Sequence, residues 1–194
     1  DIDHTLSDSS YTISSIGVGD KVIITYAYTA AQTDVAAGVT NTAAVTADEI
    51  EDAVTDTTDP VPVTAYSLTY DANGGYFDST SSTTTKEEKV PAQPSYRLNT
   101  TDEFKPTRDQ VDGKNVASVG WSLDKKDTIY GLDDSYDDSI LAATVDVSSE
   151  DKTVYAVWGY DTNGDGKPDV QDESYGITAS VDGGNGSITP RPAM

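Results

Sequence analysis

Residues Asp161 to Asp172 read D-T-N-G-D-G-K-P-D-V-Q-D, and here side-chain type and spacing together specify a chemistry. Oxygen-bearing side chains fall at loop positions 1, 3, 5, 9 and 12, namely Asp161, Asn163, Asp165, Asp169 and Asp172. Position 6 is Gly166, where the chain must turn sharply, and position 7 is Lys167, placed to offer its backbone carbonyl. A hard divalent cation is held by about six or more such oxygens. The spacing therefore predicts a calcium site. Asp161, Asn163 and Asp165 would bind directly, Asp169 directly or through a water, and Asp172 would close it. An acidic, Gly-rich linker without an ion has a similar composition, but five ligand-type residues at five ligand positions favour the ion.

Other candidate chemistry is weaker. Tyr130–Asp138 (YGLDDSYDD) carries Asp133, Asp134, Asp137 and Asp138, yet their spacing follows no ligand pattern, and a solvated acidic loop is expected. His4 is the single histidine and lies in a polar segment, so no Ser–His or Cys–His catalytic pair can be built around it. Carboxylates are so frequent that abundance nominates no glycosidase pair. Trp121 and Trp158 could present a carbohydrate platform, but large aromatics in small β-domains are expected in the core. The sequence predicts no enzyme.

Composition narrows the partners. The chain has 34 acidic residues against 12 basic ones, a formal charge of −22. Such a surface repels a phosphate backbone, which argues against nucleic acid, and it attracts divalent cations. There is no cysteine, hence no disulfide framework. No apolar run approaches the roughly 20 residues that span a bilayer as a helix. The polar start and the abrupt Arg191–Met194 end read as a monomeric fragment of a longer chain.

The elements that must position the loop are strands. Val, Ile, Thr and Tyr outnumber strong helix formers, which predicts a mostly β fold: small β-modules in series, elongated. Residues 1–47 hold strand candidates at Tyr11–Ile16, Lys21–Thr29 (Val22, Ile24, Tyr26 and Tyr28 on one face) and Val39–Thr46, with a turn at Gly17–Asp20. Three strands cannot close a sandwich, so this reads as the C-terminal part of one. Residues 48–64, acidic and then Pro-punctuated, read as a linker that admits a short helix over Asp48–Ala53. Residues 65–159 open with alternating Tyr66, Leu68 and Tyr70, then a hairpin turn at Asp71–Gly75, with Tyr76-Phe77 resuming the strand. Residues 160–174 are the calcium loop. Residues 175–194 read as a further repeat's opening hairpin, Tyr175–Val181 and Ser187–Thr189 about Asp182–Gly186.

Several segments resemble known families. The pieces "LTYDANGG", "GWSLD" and "TVYAVW" occur in 65–159 in that order and resemble the internalin-type B repeat, or Listeria–Bacteroides repeat. That resemblance implies a β-grasp-like fold, tandem occurrence on bacterial surface proteins, no catalysis, and core positions for both tryptophans. The chain departs from the pattern in two expansions, Pro94–Val116 and Tyr130–Asp146. "GD-K-V-I-I-T-Y" with "G-V-T-N-T-A-A-V-T" resembles the last strands of Ig-like repeats in Gram-positive surface and pilin-like proteins. Some of those join a Lys to an Asn covalently, which would implicate Lys21 and Asn41. The attack needs a buried, neutral lysine, and lysine is rarely buried, so the bond is not expected. The calcium loop resembles the EF-hand loop in spacing, the dockerin variant in having aspartate at position 12, and thrombospondin type 3 loops in its Gly-Lys-Pro-Asp stretch.

These readings converge on a structural or adhesive stalk segment of a secreted bacterial cell-surface or cell-wall protein, stiffened by calcium. Two alternatives stay open: a module binding a host protein or glycan through its expanded loops, or an accessory domain of a secreted polysaccharide-degrading enzyme.

Overall fold

The computed structural model describes residues 2–5, 10–48, 52–78, 80, 82–131 and 136–172. The chain is mostly β, with several small sheets. The strands are β1 (Ile2–Thr5), β2 (Val22–Thr25), β3 (Thr42–Val45), β4 (Val54–Thr57), β5 (Ala65–Asp71), β6 (Thr85–Pro91), β7 (Tyr96–Arg97), β8 (Val116–Ser122), β9 (Ile129–Tyr130), β10 (Thr144–Val145) and β11 (Lys152–Tyr160). Two one-turn helices accompany them, α1 (Asp34–Ala37) and α2 (Thr101–Phe104). The largest sheet has the order β6-β5-β11-β8, with β9 beside β11; the pairs β1–β2, β3–β4 and β7–β10 stand as two-stranded sheets. The hairpin expected over Tyr175–Thr189 lies outside the described residues, as do Glu49–Glu51 of the short helix expected over Asp48–Ala53.

The chain divides into two units, Asp1–Thr69 with Glu87–Arg97 and Thr144–Thr153, and Tyr70–Lys86 with Leu98–Ala143 and Val154–Met194. In the first, β2 pairs in parallel with β1, Ile2 opposite Val22, and is shorter than the Lys21–Thr29 strand that alternation predicts. Tyr26 and Tyr28 leave the ladder and donate their hydroxyls to Asn41 Oδ1 (2.7 Å) and Asp34 Oδ2 (2.7 Å). The expected Tyr11–Ile16 strand is irregular, whereas the Gly17–Asp20 turn forms, closed by Asp20 N–H on the Gly17 carbonyl (3.0 Å). Within the stretch read as a linker, Val54–Thr57 forms β4 and pairs antiparallel with β3, Val45 opposite Val54. Its β-branched residues support a strand, and the proline signal begins only at Pro60. Among the described residues from Ser10 to Thr64 none is buried. The core of this unit comes later in the chain, from Leu68, Val90, Val145 and Val147.

The second unit holds the aromatic core. Tyr70 meets Phe104 edge-on at 4.5 Å between ring centroids and Trp121 at 5.0 Å, and its hydroxyl accepts from Asn99 N–H at 3.0 Å. Trp121 donates its indole N–H to the Asn99 carbonyl (2.7 Å). Trp158 does the same to the carbonyls of Ala72 (3.0 Å) and Asn73 (3.1 Å). Trp121 is 3% exposed and Trp158 1%. Both indoles are thus anchored at the polar end and buried along the body, and truncating either to alanine would cost about 3–5 kcal/mol. The Asp71–Gly75 turn forms with Asn73 at φ 47°, held by Asn73 N–H on Asp71 Oδ1 (2.7 Å). The strand does not resume at Tyr76-Phe77: Tyr76 only bridges to Thr107, and β6 is the return strand. A Ser/Thr-rich excursion separates the two, organised by Asp78, which accepts from the backbone N–H groups of Thr80, Ser82 and Thr83.

Candidate metal centre

Strand β11 delivers the loop. Its antiparallel register with β8 runs Tyr155–Ser122, Ala156–Trp121 and Val157–Gly120, then slips to Trp158–Ser118. Val119 is therefore the extra residue of a β-bulge, with its carbonyl out of the ladder. The pairing continues to Tyr160–Val116 and one step further, where Asp161 N–H reaches the Asn115 carbonyl at 3.0 Å. Asp161, the first ligand position, is thus fixed by the last rung of the sheet.

Asp161 is 6% exposed. Its Oδ1 accepts from Gly164 N–H (2.7 Å) and Asp165 N–H (3.2 Å), and its Oδ2 from Gly166 N–H (3.0 Å). One carboxylate thereby satisfies three backbone donors and winds the loop around itself. Gly166 sits at φ 86°, a left-handed turn that a side chain would strain. Asn163 Oδ1 accepts from Asp165 N–H (2.9 Å), and Asp165 Oδ1 from Lys167 N–H (2.8 Å). The Asn163 Nδ2 group points between two carboxylates, Asp165 Oδ2 at 3.4 Å and Asp172 Oδ2 at 3.1 Å.

Asp169, also 6% exposed, is turned onto Thr162: its Oδ1 accepts Thr162 N–H (2.9 Å) and its Oδ2 the Thr162 hydroxyl (2.8 Å). It clamps the two limbs of the loop together. A one-turn 3-10 helix, Asp169–Gln171, follows and brings Asp172 back to Asn163.

Positions 161, 163, 165 and 172 are joined by these hydrogen bonds, Lys167 is tied to the group through its N–H, and Asp169 is engaged with Thr162. Among the described residues no three His, Cys, Asp or Glu side chains stand together as a metal-holding cluster. The donor set is nonetheless all oxygen, with an asparagine between two carboxylates, and its chemistry fits a hard cation. Binding one would draw Asp165 and Asp172 off the Asn163 amide.

The partners that sequence reasoning missed are Thr162, Asn115 and Gln171, whose Nε2 donates to the Val119 carbonyl at 3.0 Å. Loop spacing ranks positions by ligand number and is silent about residues that tether a loop to a sheet.

The remaining candidates take other places. Asp133 and Asp134 lie outside the described residues. Asp137 Oδ1 caps the Asp138–Ile140 3-10 turn by accepting Ser139 N–H (2.8 Å), and that bond holds its carboxyl below the usual range. Lys21 and Asn41 are both exposed, and Asn41 Oδ1 is engaged by Tyr26. His4 lies in β1 opposite Ile24. An open groove of about 300 Å³ runs between the end of β8 and the second expansion, past Leu123, Asp124, Lys126, Ile140 and Leu141, with no aromatic ring in its walls.

No helix among the described residues is long and apolar enough to cross a membrane. Comparison with protein-family models, curated proteins and solved structures finds no match to this chain.

Proposed function

We propose that the chain is a structural, adhesive-stalk segment of a secreted bacterial cell-surface protein, and that calcium bound by the Asp161–Asp172 loop makes it rigid. The observation that carries this is the loop itself. Oxygen-bearing residues stand at five positions of calcium-loop spacing, the backbone N–H groups of Gly164, Asp165 and Gly166 close on the Asp161 carboxylate, and Asn163 lies between Asp165 and Asp172. With the ion absent, several negative charges crowd one short turn; with it bound, they become its ligands.

The kinship with B repeats is part of the same proposal. Its support is that the three matching pieces fall on β5 with its turn, on β8 and on β11, all strands of one sheet. Burial of Trp121 and Trp158 leaves neither indole as a sugar platform. No residue has a catalytic role in this reading.

Calorimetric titration of the ion-stripped chain tests the proposal. One calcium per chain is expected, lost in the double variant Asp161→Ala, Asp165→Ala. Absence of uptake, or uptake indifferent to the double substitution, would overturn it.

A further inference from the structure

The loop is stitched to the sheet at three points, all within the second unit. Asp161 N–H extends the β8–β11 ladder onto the Asn115 carbonyl (3.0 Å). Gln171 Nε2 donates to the Val119 carbonyl (3.0 Å), the group that the β-bulge leaves out of the ladder. Pro168 is buried against Gly159 so closely that a Cβ there would lie 2.8 Å from Pro168 Cβ and 3.2 Å from a Val119 methyl. The ends and middle of the loop are therefore held by the two strands that carry Trp121 and Trp158.

From this geometry we infer that cation binding and the folding of the β8–β11 sheet are one coupled event: the ion stabilises the sheet, and the sheet shapes the ion site. The inference rests on the calcium reading above and deepens it, because the energy of binding is delivered into the module's own core. The ligand positions run from Asp161, on Asn115's rung, to Asp172, the neighbour of Gln171. A chain that has lost the sheet has lost both ends of the frame that keeps Asp161 and Asp172 in reach of one ion. A ligand that binds only the framed state raises its stability by mass action. Coupling is reciprocal, so weakening the frame must weaken the ion by the same factor.

The experiment uses the whole chain. Calcium uptake is measured by calorimetry, and unfolding of the sheet is followed through its two tryptophans, in chelator and at one fixed calcium concentration, with magnesium as the comparison. The expected result is a rise in Tm of about 5 °C or more with calcium. Gln171→Ala, an exposed residue whose loss leaves the core intact, should lower calcium affinity about fivefold, the value of one hydrogen bond, and reduce the Tm rise in step. Gly159→Ala, which forces Pro168 off the sheet, should act in the same direction; if it fails to fold, Gln171→Ala still decides. No calcium uptake overturns the calcium reading and this inference with it. Uptake without a Tm rise overturns the coupling alone. A Tm rise that neither variant diminishes overturns it too, because the ion would then act through some other route.

Discussion

The side-chain amide of Asn163 donates to the carboxylate of Asp172 at 3.1 Å, joining loop positions 3 and 12. The same nitrogen faces Asp165 Oδ2, so a neutral donor occupies the place where two anions meet. Rotating the amide by half a turn would replace that donor by an oxygen, giving up the Asp165 N–H bond to Asn163 Oδ1. Asn163→Asp removes the donor and adds a third negative charge. The ion-free chain should lose about 1 kcal/mol, and its calcium affinity should rise, because the added repulsion is relieved by the ion. Chemical denaturation in chelator and calorimetric titration check the two halves of this expectation. Equal effects with and without calcium would show that position 163 is only a spacer.

Asp172 and Asp161 separate ligand from scaffold. Among the described residues the Asp172 carboxylate accepts a hydrogen bond from Asn163 alone, so Asp172→Asn should leave the ion-free stability within about 0.5 kcal/mol and weaken calcium at least tenfold. Asp161→Asn should do both kinds of damage. Its amide nitrogen must face one of three backbone N–H groups, and a buried donor without an acceptor costs about 1–3 kcal/mol. Parallel melting curves in chelator distinguish the two substitutions. A harmless Asp161→Asn would mean that the loop is not wound around this carboxylate.

How much of this was legible in the sequence depends on which forces decide each element. The alternation of Tyr66, Leu68 and Tyr70 and the run to Trp158 announce β5 and β11, because both are buried on the sheet and side-chain period fixes their faces. The Asp71–Gly75 turn is equally plain, since positive φ at Asn73 restricts the residue types it tolerates. Helix α2 went unseen, although its capping box, Thr100 with Glu103 three residues on, is a written signal. Its single turn lacks the apolar periodicity that marks longer helices. The return strand β6 was hidden behind the Ser/Thr-rich excursion, because contact with β5 decides it and local composition does not. For the metal centre, the ligand positions could be read from spacing, while the clamp between Thr162 and Asp169 could not: hydrogen bonds across seven residues leave no pattern in composition.

Acid should probe the excursion after β5. The hydrogen bond from Thr83, then those from Ser82 and Thr80, hold the Asp78 carboxyl well below its usual range. A folded-state value lower than the unfolded one means that the unfolded chain binds the proton more readily. The contribution of Asp78 is therefore present in full above about pH 4 and fades as pH falls through the depressed folded value. Asp78→Asn should lose it at every pH above that window and converge with the parent chain in strong acid. Urea midpoints measured between pH 2 and 7 give the comparison; a constant gap across the range would assign the effect to shape and not to charge.

One buried group works against the fold. The Tyr136 hydroxyl oxygen is shielded from solvent with no hydrogen-bond partner among the described residues, while its ring packs edge-on against Tyr130 at 5.3 Å. Burial first, and then the nearby Asp138 carboxylate, push its ionisation far above the ordinary tyrosine value. The proton therefore stays on in the folded chain after the unfolded chain has released it. Stability attributable to this group is complete below about pH 10 and declines as alkali drives the unfolded form to phenolate. Tyr136→Phe keeps the ring contact and deletes the hydroxyl. It should raise stability at neutral pH by about 1 kcal/mol, since the oxygen removed is buried without a hydrogen-bond partner among the described residues. It should also flatten the decline above pH 10. A loss of stability on substitution would mean that the hydroxyl has a partner in the folded chain, with Asp138 the first to test by the same pair of measurements in Asp138→Asn.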